Sequence, residues 1–159
     1  MKKSILFAAI MLAVASVQEI KAQEVYDYLL DKAELVINDP NSKDFDLKVA
    51  QFKFTAMRYF RKNIILQEGC ISSTWLDEQA LALNEFVTNY FIELAKNSHA
   101  SEKNRMQIIM RYCNASANHA LFKNVDKSEA ESFVDDKGGF TPFSLNTNWV
   151  EALAETKKK

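Results

Sequence analysis

Glycine, proline, histidine and cysteine are all scarce in this chain: three, two, two and two residues in 159. A β-sandwich or barrel turns many times and draws on glycine and proline at its turns, so so few of them argue against one. No Gly-rich phosphate loop and no Gly-x-Ser-x-Gly elbow is present. With His99 and His119 as the two histidines, there is no His-Glu-x-x-His zinc motif. A ferritin-like di-iron helix would carry glutamate three residues before histidine, and those positions hold Lys96 and Ser116. Cys70 and Cys113 are too far apart for a Cys-x-x-Cys pair. The formal charge of −1 gives no global footprint for nucleic acid or an anionic membrane surface. The apolar run from Ile5 to Ala15 falls short of the roughly 20 residues that span a bilayer.

That run has another meaning. Lys2 and Lys3 precede it, and a short region ending Ile20-Lys21-Ala22 follows, the layout of a secretory signal peptide. Residues 1–22 are expected to be removed, with the cut after Ala22 or, alternatively, earlier around Ala15 or Ser16, and no cysteine sits near either site to take a lipid anchor. Loss of Lys2, Lys3, Lys21 and Glu19 leaves 17 basic and 20 acidic residues, a net charge of −3. The 137 residues of 23–159 suit one domain. The expected location is periplasmic or secreted, without stable membrane insertion after cleavage.

Eleven phenylalanines supply ample core, and apolar spacing predicts four main helices over 24–39, 43–66, 74–97 and 101–122. In the first, Val25, Leu29, Ala33 and Val36 share a face, and Pro40 stops the pattern. Ser42 or Asp44 is placed to cap the second. The second has two apolar stripes, Phe45, Val49, Phe52, Ala56, Tyr59 and Phe60 on one side and Leu47, Ala50, Phe54, Met57 and Ile65 on the other. A helix apolar on two sides is covered on two sides, which makes it the expected centre of the domain or, alternatively, a surface for a second chain. The third carries Leu76, Ala80, Leu83, Val87, Tyr90 and Leu94, with Asp77 and Glu78 expected in its first turn. The fourth has Met106, Ile109, Met110, Cys113, Ala117, Ala120 and Leu121 as its expected core face and Ile108, Tyr112, Ala115 and His119 as a weaker stripe. Residues 126–155 read as a C-terminal strap with short helices: Asp126 opens one, Phe140, Phe143 and Leu145 run extended, and Thr147 caps a last helix carrying Trp149. The fold class is therefore all-α, two antiparallel hairpins plus the strap.

No catalytic set emerges, and neither metal nor cofactor is expected. Met57 and Met110 read as core filler rather than haem ligands. Cys113 and His119 lie about 240° apart around one helix, so they form no nucleophile pair. An oxidising compartment permits a Cys70–Cys113 disulfide. In an up-down hairpin, however, the two are offset by about eight residues, roughly 12 Å, against the 7 Å or so that a bridge allows, which favours two buried thiols. Arg58, Arg61 and Lys62, interleaved with Tyr59 and Phe60, match either cations at a helix C-terminus or a patch for nucleic acid or acidic glycans. The strap could cover the weak stripe of the fourth helix as core, or leave a groove lined by Tyr112, His119, Phe143 and Trp149 with His119 as the polar handle.

The Ile20-Lys21-Ala22-Gln23 junction and the tail from Phe143 to Trp149 resemble the small exported all-helical proteins of unknown function common in Bacteroidetes. The resemblance implies a helical fold and export, and carries no catalytic residue. The expected function is an exported binding or interaction protein without catalytic activity, its partner a protein or small ligand and not nucleic acid. Two other readings are an enzyme with a site near His119, and a self-assembling protein, a homo-oligomer, using the second apolar face of helix 43–66.

Overall fold

The structure, a computed structural model, describes residues 25–68, 73–123, 125 and 143–158, the side chains of 65–68 and 73 excepted. The leader, Cys70 and the short helix expected after Asp126 lie outside the described residues. Five helices carry the fold: α1 (Val25–Asn38), α2 (Asp44–Glu68), α3 (Ser73–Lys96), α4 (Glu102–Asn118) and α5 (Trp149–Thr156). Among the described residues the extended pairing is a single antiparallel bridge, Ala120 to Thr147. The all-α expectation holds.

The centre of the domain is α3, not the two-striped α2. It packs against all four other helices, with α1 and α2 on one side and α4 and α5 on the other. Leu76, Ala80, Leu83, Phe86, Val87 and Tyr90 are buried, as their 3–4 spacing requires. Both stripes of α2 are used within the chain: Phe52, Ala56 and Phe60 are buried on one and Ala50 and Met57 on the other. The first pair of helices is antiparallel, because Tyr26 at the start of α1 meets Phe60 near the end of α2 edge-to-face at 5.8 Å and donates its hydroxyl to the Met57 carbonyl at 2.9 Å.

Two buried side chains of α3 tie other helices to it. Asp77, expected to serve its own helix's first turn, lies one turn further in because α3 already begins at Ser73. Its Oδ1 accepts the Tyr26 backbone N–H at 2.8 Å, so it caps the start of α1. Gln79 accepts the Trp149 backbone N–H at 2.9 Å and donates to Asn148 Oδ1 at 3.0 Å. Asn148, rather than Thr147, is the cap residue of α5, accepting from Glu151 N at 3.3 Å. Ser42 likewise serves the other helix: its hydroxyl donates back to Val36 O at 2.6 Å and finishes α1. Ser101 caps α4 through Asn104 N.

The faces of α4 are reversed from the expectation. Tyr112, Ala115 and Ser116 are buried, while Met106 and Met110 are 49% and 55% exposed. Residues 101–107 are exposed throughout, so the helix does not lie along α3 but crosses it at Tyr112. The ring of Tyr112 meets Phe86 at 5.1 Å and Tyr90 at 5.2 Å, and its hydroxyl donates to Glu93 Oε1 at 2.8 Å. A serine wins the interior over methionine because it has partners there: Ser116 Oγ accepts Ser144 N at 2.9 Å and shares a 2.8 Å hydrogen bond with Thr147. The helix also ends at Asn118 instead of 122, since His119–Phe122 pairs with the strap. Leu121 N donates to Asn146 O, Asn148 N to His119 O, and the Asn146 side chain bonds both the N–H and the C=O of Phe122.

These caps are structural by geometry. Gln79→Leu strips a buried backbone N–H of its acceptor and is expected to cost about 2–3 kcal/mol in urea unfolding. Glu85→Ala, which breaks an exposed pair with Lys157 and a long exposed bond from Asn89, is expected to stay within about 0.5 kcal/mol of the parent.

Candidate functional site

Side-chain size tapers along α1, α2 and α3. Where α1 and α3 begin and α2 ends, Tyr26, Phe60 and Trp75 fill the space, Phe60 meeting Trp75 edge-on at 6.1 Å. Toward the other end the facing residues are Ala33 and Val36 on α1, Val49 and Ala50 on α2, and Val87 and Thr88 on α3. Short side chains leave room, and the three helices enclose a cleft of about 500 Å³ there, within the range of small-molecule sites. Phe45, 44% exposed, stands at its edge with its ring 4.8 Å from that of Phe91. The turn residues Asp39, Asn41, Ser42 and Lys43 close one end.

Lys53 stands on the α2 wall of this cleft. Its position follows from the helix: Val49 and Ala50 lie one turn before it and Ala56 and Met57 one turn after, so the side chain projects from an apolar face. Its ammonium donates to Asn84 Oδ1 of α3 at 2.7 Å. Burial pushes it down from 10.5 to about 8, and no neighbouring carboxylate offsets that loss of solvation. The other charges lining the cleft are engaged elsewhere or lie toward the turn. Lys32 sits 4.6 Å over the Tyr28 ring, Asp39 accepts from Asn41 at 2.9 Å, and Asp46 occupies the first turn of α2. Sequence reading passed over Lys53; the signal was a lone lysine with apolar residues at i−4, i−3, i+3 and i+4.

The residues singled out from sequence go elsewhere. Tyr112, Phe143 and Trp149 do meet, but in the interior, at 1%, 0% and 0% exposure. Phe86 contacts all three rings at 5.1–5.4 Å, and Phe52 of α2 closes on Phe143 and Trp149 from the far side. The described part of the strap is thus a piece of the core, joined to α4 through Ser116. His119 is apart from these rings, half-buried at the end of α4, with Nδ1 3.1 Å from Glu151 and Nε2 2.5 Å from Glu155. The two carboxylates flank opposite edges of the imidazole rather than converge on one point. Among the described residues no group of three or more His, Cys, Asp or Glu is placed to hold a metal ion. Burial raises the Tyr112 hydroxyl well above its usual range, aided by its acceptor Glu93, and raises the Cys113 thiol as well. Cys113 is free, and Cys70, the other cysteine of the disfavoured bridge, lies outside the described residues.

The basic patch is partly spent on the fold. Arg61 lies 5.3 Å over the Tyr26 ring and 3.6 Å from Asp27, and Arg58 lies 5.5 Å over Phe54. Lys62 is exposed. Among the described residues no helix is long and apolar enough to cross a membrane.

Comparison with known protein families, curated proteins and solved structures returns no match. The cleft is therefore read from its own chemistry.

Lys53 makes that chemistry measurable. The unfolded chain keeps this proton up to the ordinary lysine range, whereas the folded chain gives it up near pH 8. Between those values the unfolded state binds more protons, so this group's contribution to stability rises with pH. Lys53→Met is expected to stabilise the fold by about 1–3 kcal/mol at pH 7. That advantage is expected to shrink as pH rises above 8, as read by urea unfolding across pH 7–10.

Proposed function

We propose that the chain is an exported, soluble binding protein without catalytic activity, periplasmic or secreted, and that its site is the cleft between α1, α2 and α3. The observation that carries this reading is a ligand-sized cavity with apolar walls and a few polar groups, Lys53 and Asn84 foremost. The leader-like residues 1–22 support the export half. The near-neutral charge speaks against nucleic acid as the partner.

Two measurements test the two halves. Expression in a host with a secretory pathway is expected to yield a chain whose N-terminal residue is Gln23; recovery only in the cytoplasm with residues 1–22 intact overturns export. The uncharged dye N-phenyl-1-naphthylamine is expected to bind saturably at one site per chain. Val49→Trp, which fills the cleft from α2, is expected to weaken the dye by about tenfold or more while circular dichroism shows the helices intact. A folded variant that binds the dye like the parent removes the cleft as the site.

A further inference from the structure

Resting on the cleft as the binding site, we propose that its ligand is an amphiphile with a single carboxylate, the head seated on Lys53 beside Asn84 and the apolar body running along Val49, Val87 and Phe91 toward Phe45. The first argument is the donor set of the ammonium. It has three N–H donors, and the Asn84 amide oxygen takes one at 2.7 Å. A carboxylate accepts the others in a charge-assisted bond, stronger than any neutral acceptor offers.

The second argument is the charge inventory. The groups that face Lys53 from the packed elements are Lys32 on α1, Asp39 and Lys43 in the turn, and Asp46 on α2; α3 contributes Asn84 and Thr88 and no charge. None of the acids reaches Lys53 closely enough to counter its desolvation. Of the three lysines that line the cleft, Lys53 is thus the one set in an apolar wall without a carboxylate of the described residues beside it.

The third argument selects a monoanion with a tail. Asp46 and Asp39 both line the cleft, and their negative charge disfavours a dianion such as a phosphate monoester more than a monoanion. Lys53 and Phe45 are eight residues apart on α2, about 12 Å, with Val49 between them. A head at one and a tail at the other matches this spacing.

Displacement of N-phenyl-1-naphthylamine by octanoate and by 1-octanol, equal in chain length, tests the assignment. The parent chain is expected to bind octanoate about tenfold tighter than octanol, and Lys53→Met to bring the two within about twofold by weakening octanoate alone. Octanoate affinity is expected to fall about tenfold per pH unit above 8 as Lys53 loses its proton, with octanol unchanged. If the dye binds and octanol displaces it but octanoate holds no advantage, the carboxylate assignment falls and the cleft remains the site. A preference for octanoate that survives Lys53→Met likewise overturns it. Absence of dye binding sinks both readings.

Discussion

Two side chains at the start of α3 hold the arrangement of the helices. A helix N-terminus presents backbone N–H groups that its own turns cannot satisfy, and α1 and α5 both bring theirs into the interior. Asp77 meets the first at Tyr26 and Gln79 meets the second at Trp149. Because the two acceptors are two residues apart on one helix, they fix α1 and α5 on different sides of α3. A carboxylate suits the positive end of α1 in particular, and this contact is obtained even though Asp77 Oδ2 is buried without a partner. Trp149 shows the same ordering of priorities. Its backbone is capped and its ring is enclosed by Phe52 and Phe86, while its indole N–H has no acceptor. Packing and caps decide where the ring sits.

The consequence of pinning at one end is space at the other. Tyr26, Phe60 and Trp75 pack where Asp77 holds α1, so the three helices are spaced by large rings there. Further along, the facing residues Ala33, Val36, Val49, Ala50, Val87 and Thr88 are short, and the next large rings, Phe45 and Phe91, stand at the edge of the gap they leave. The aromatic cluster of Phe86, Tyr90, Tyr112, Phe143 and Trp149 belongs to another side of α3 and does not reach into the cleft. One helix therefore separates a dense interior from an open one.

Much of this was legible in the sequence. The helices of the described region and the apolar face of α3 follow from spacing, since Leu76 to Leu94 repeats every three to four residues with few competing choices. The face of α4 was misread because apolar count favoured Met106 and Met110, whereas Ser116 gains Ser144 and Thr147 as partners only once the strap has come back across 28–31 residues. Asp77 misled for the same reason, and Gln79 drew no notice: a polar residue in the first turns of a helix reads as solvated or capping its own helix until a second helix N-terminus arrives. Tyr112, Phe143 and Trp149 were picked out as a set that meets, yet periodicity says nothing of whether rings that meet are covered. Lys53 was missed because a single lysine between two apolar stripes looks like the polar seam that divides them.

That lysine is the least economical choice in the fold. A methionine would fill the same volume without desolvating a charge, and an unpaired buried cation lowers stability. A lysine head can ordinarily escape to water along its own stem, but here the ammonium turns to Asn84 across the cleft. The contact spans α2 and α3 within the cleft, so it ties the two walls together as well as setting their polarity. An anion arriving there converts an uncompensated charge into a paired one and joins the two walls through a second set of hydrogen bonds. Binding at this position is then coupled to the stability of the helices that form it, because anything that binds the folded state alone adds to its stability. The penalty of an empty cleft and the gain on filling it have one physical origin, the solvation that Lys53 gives up on folding.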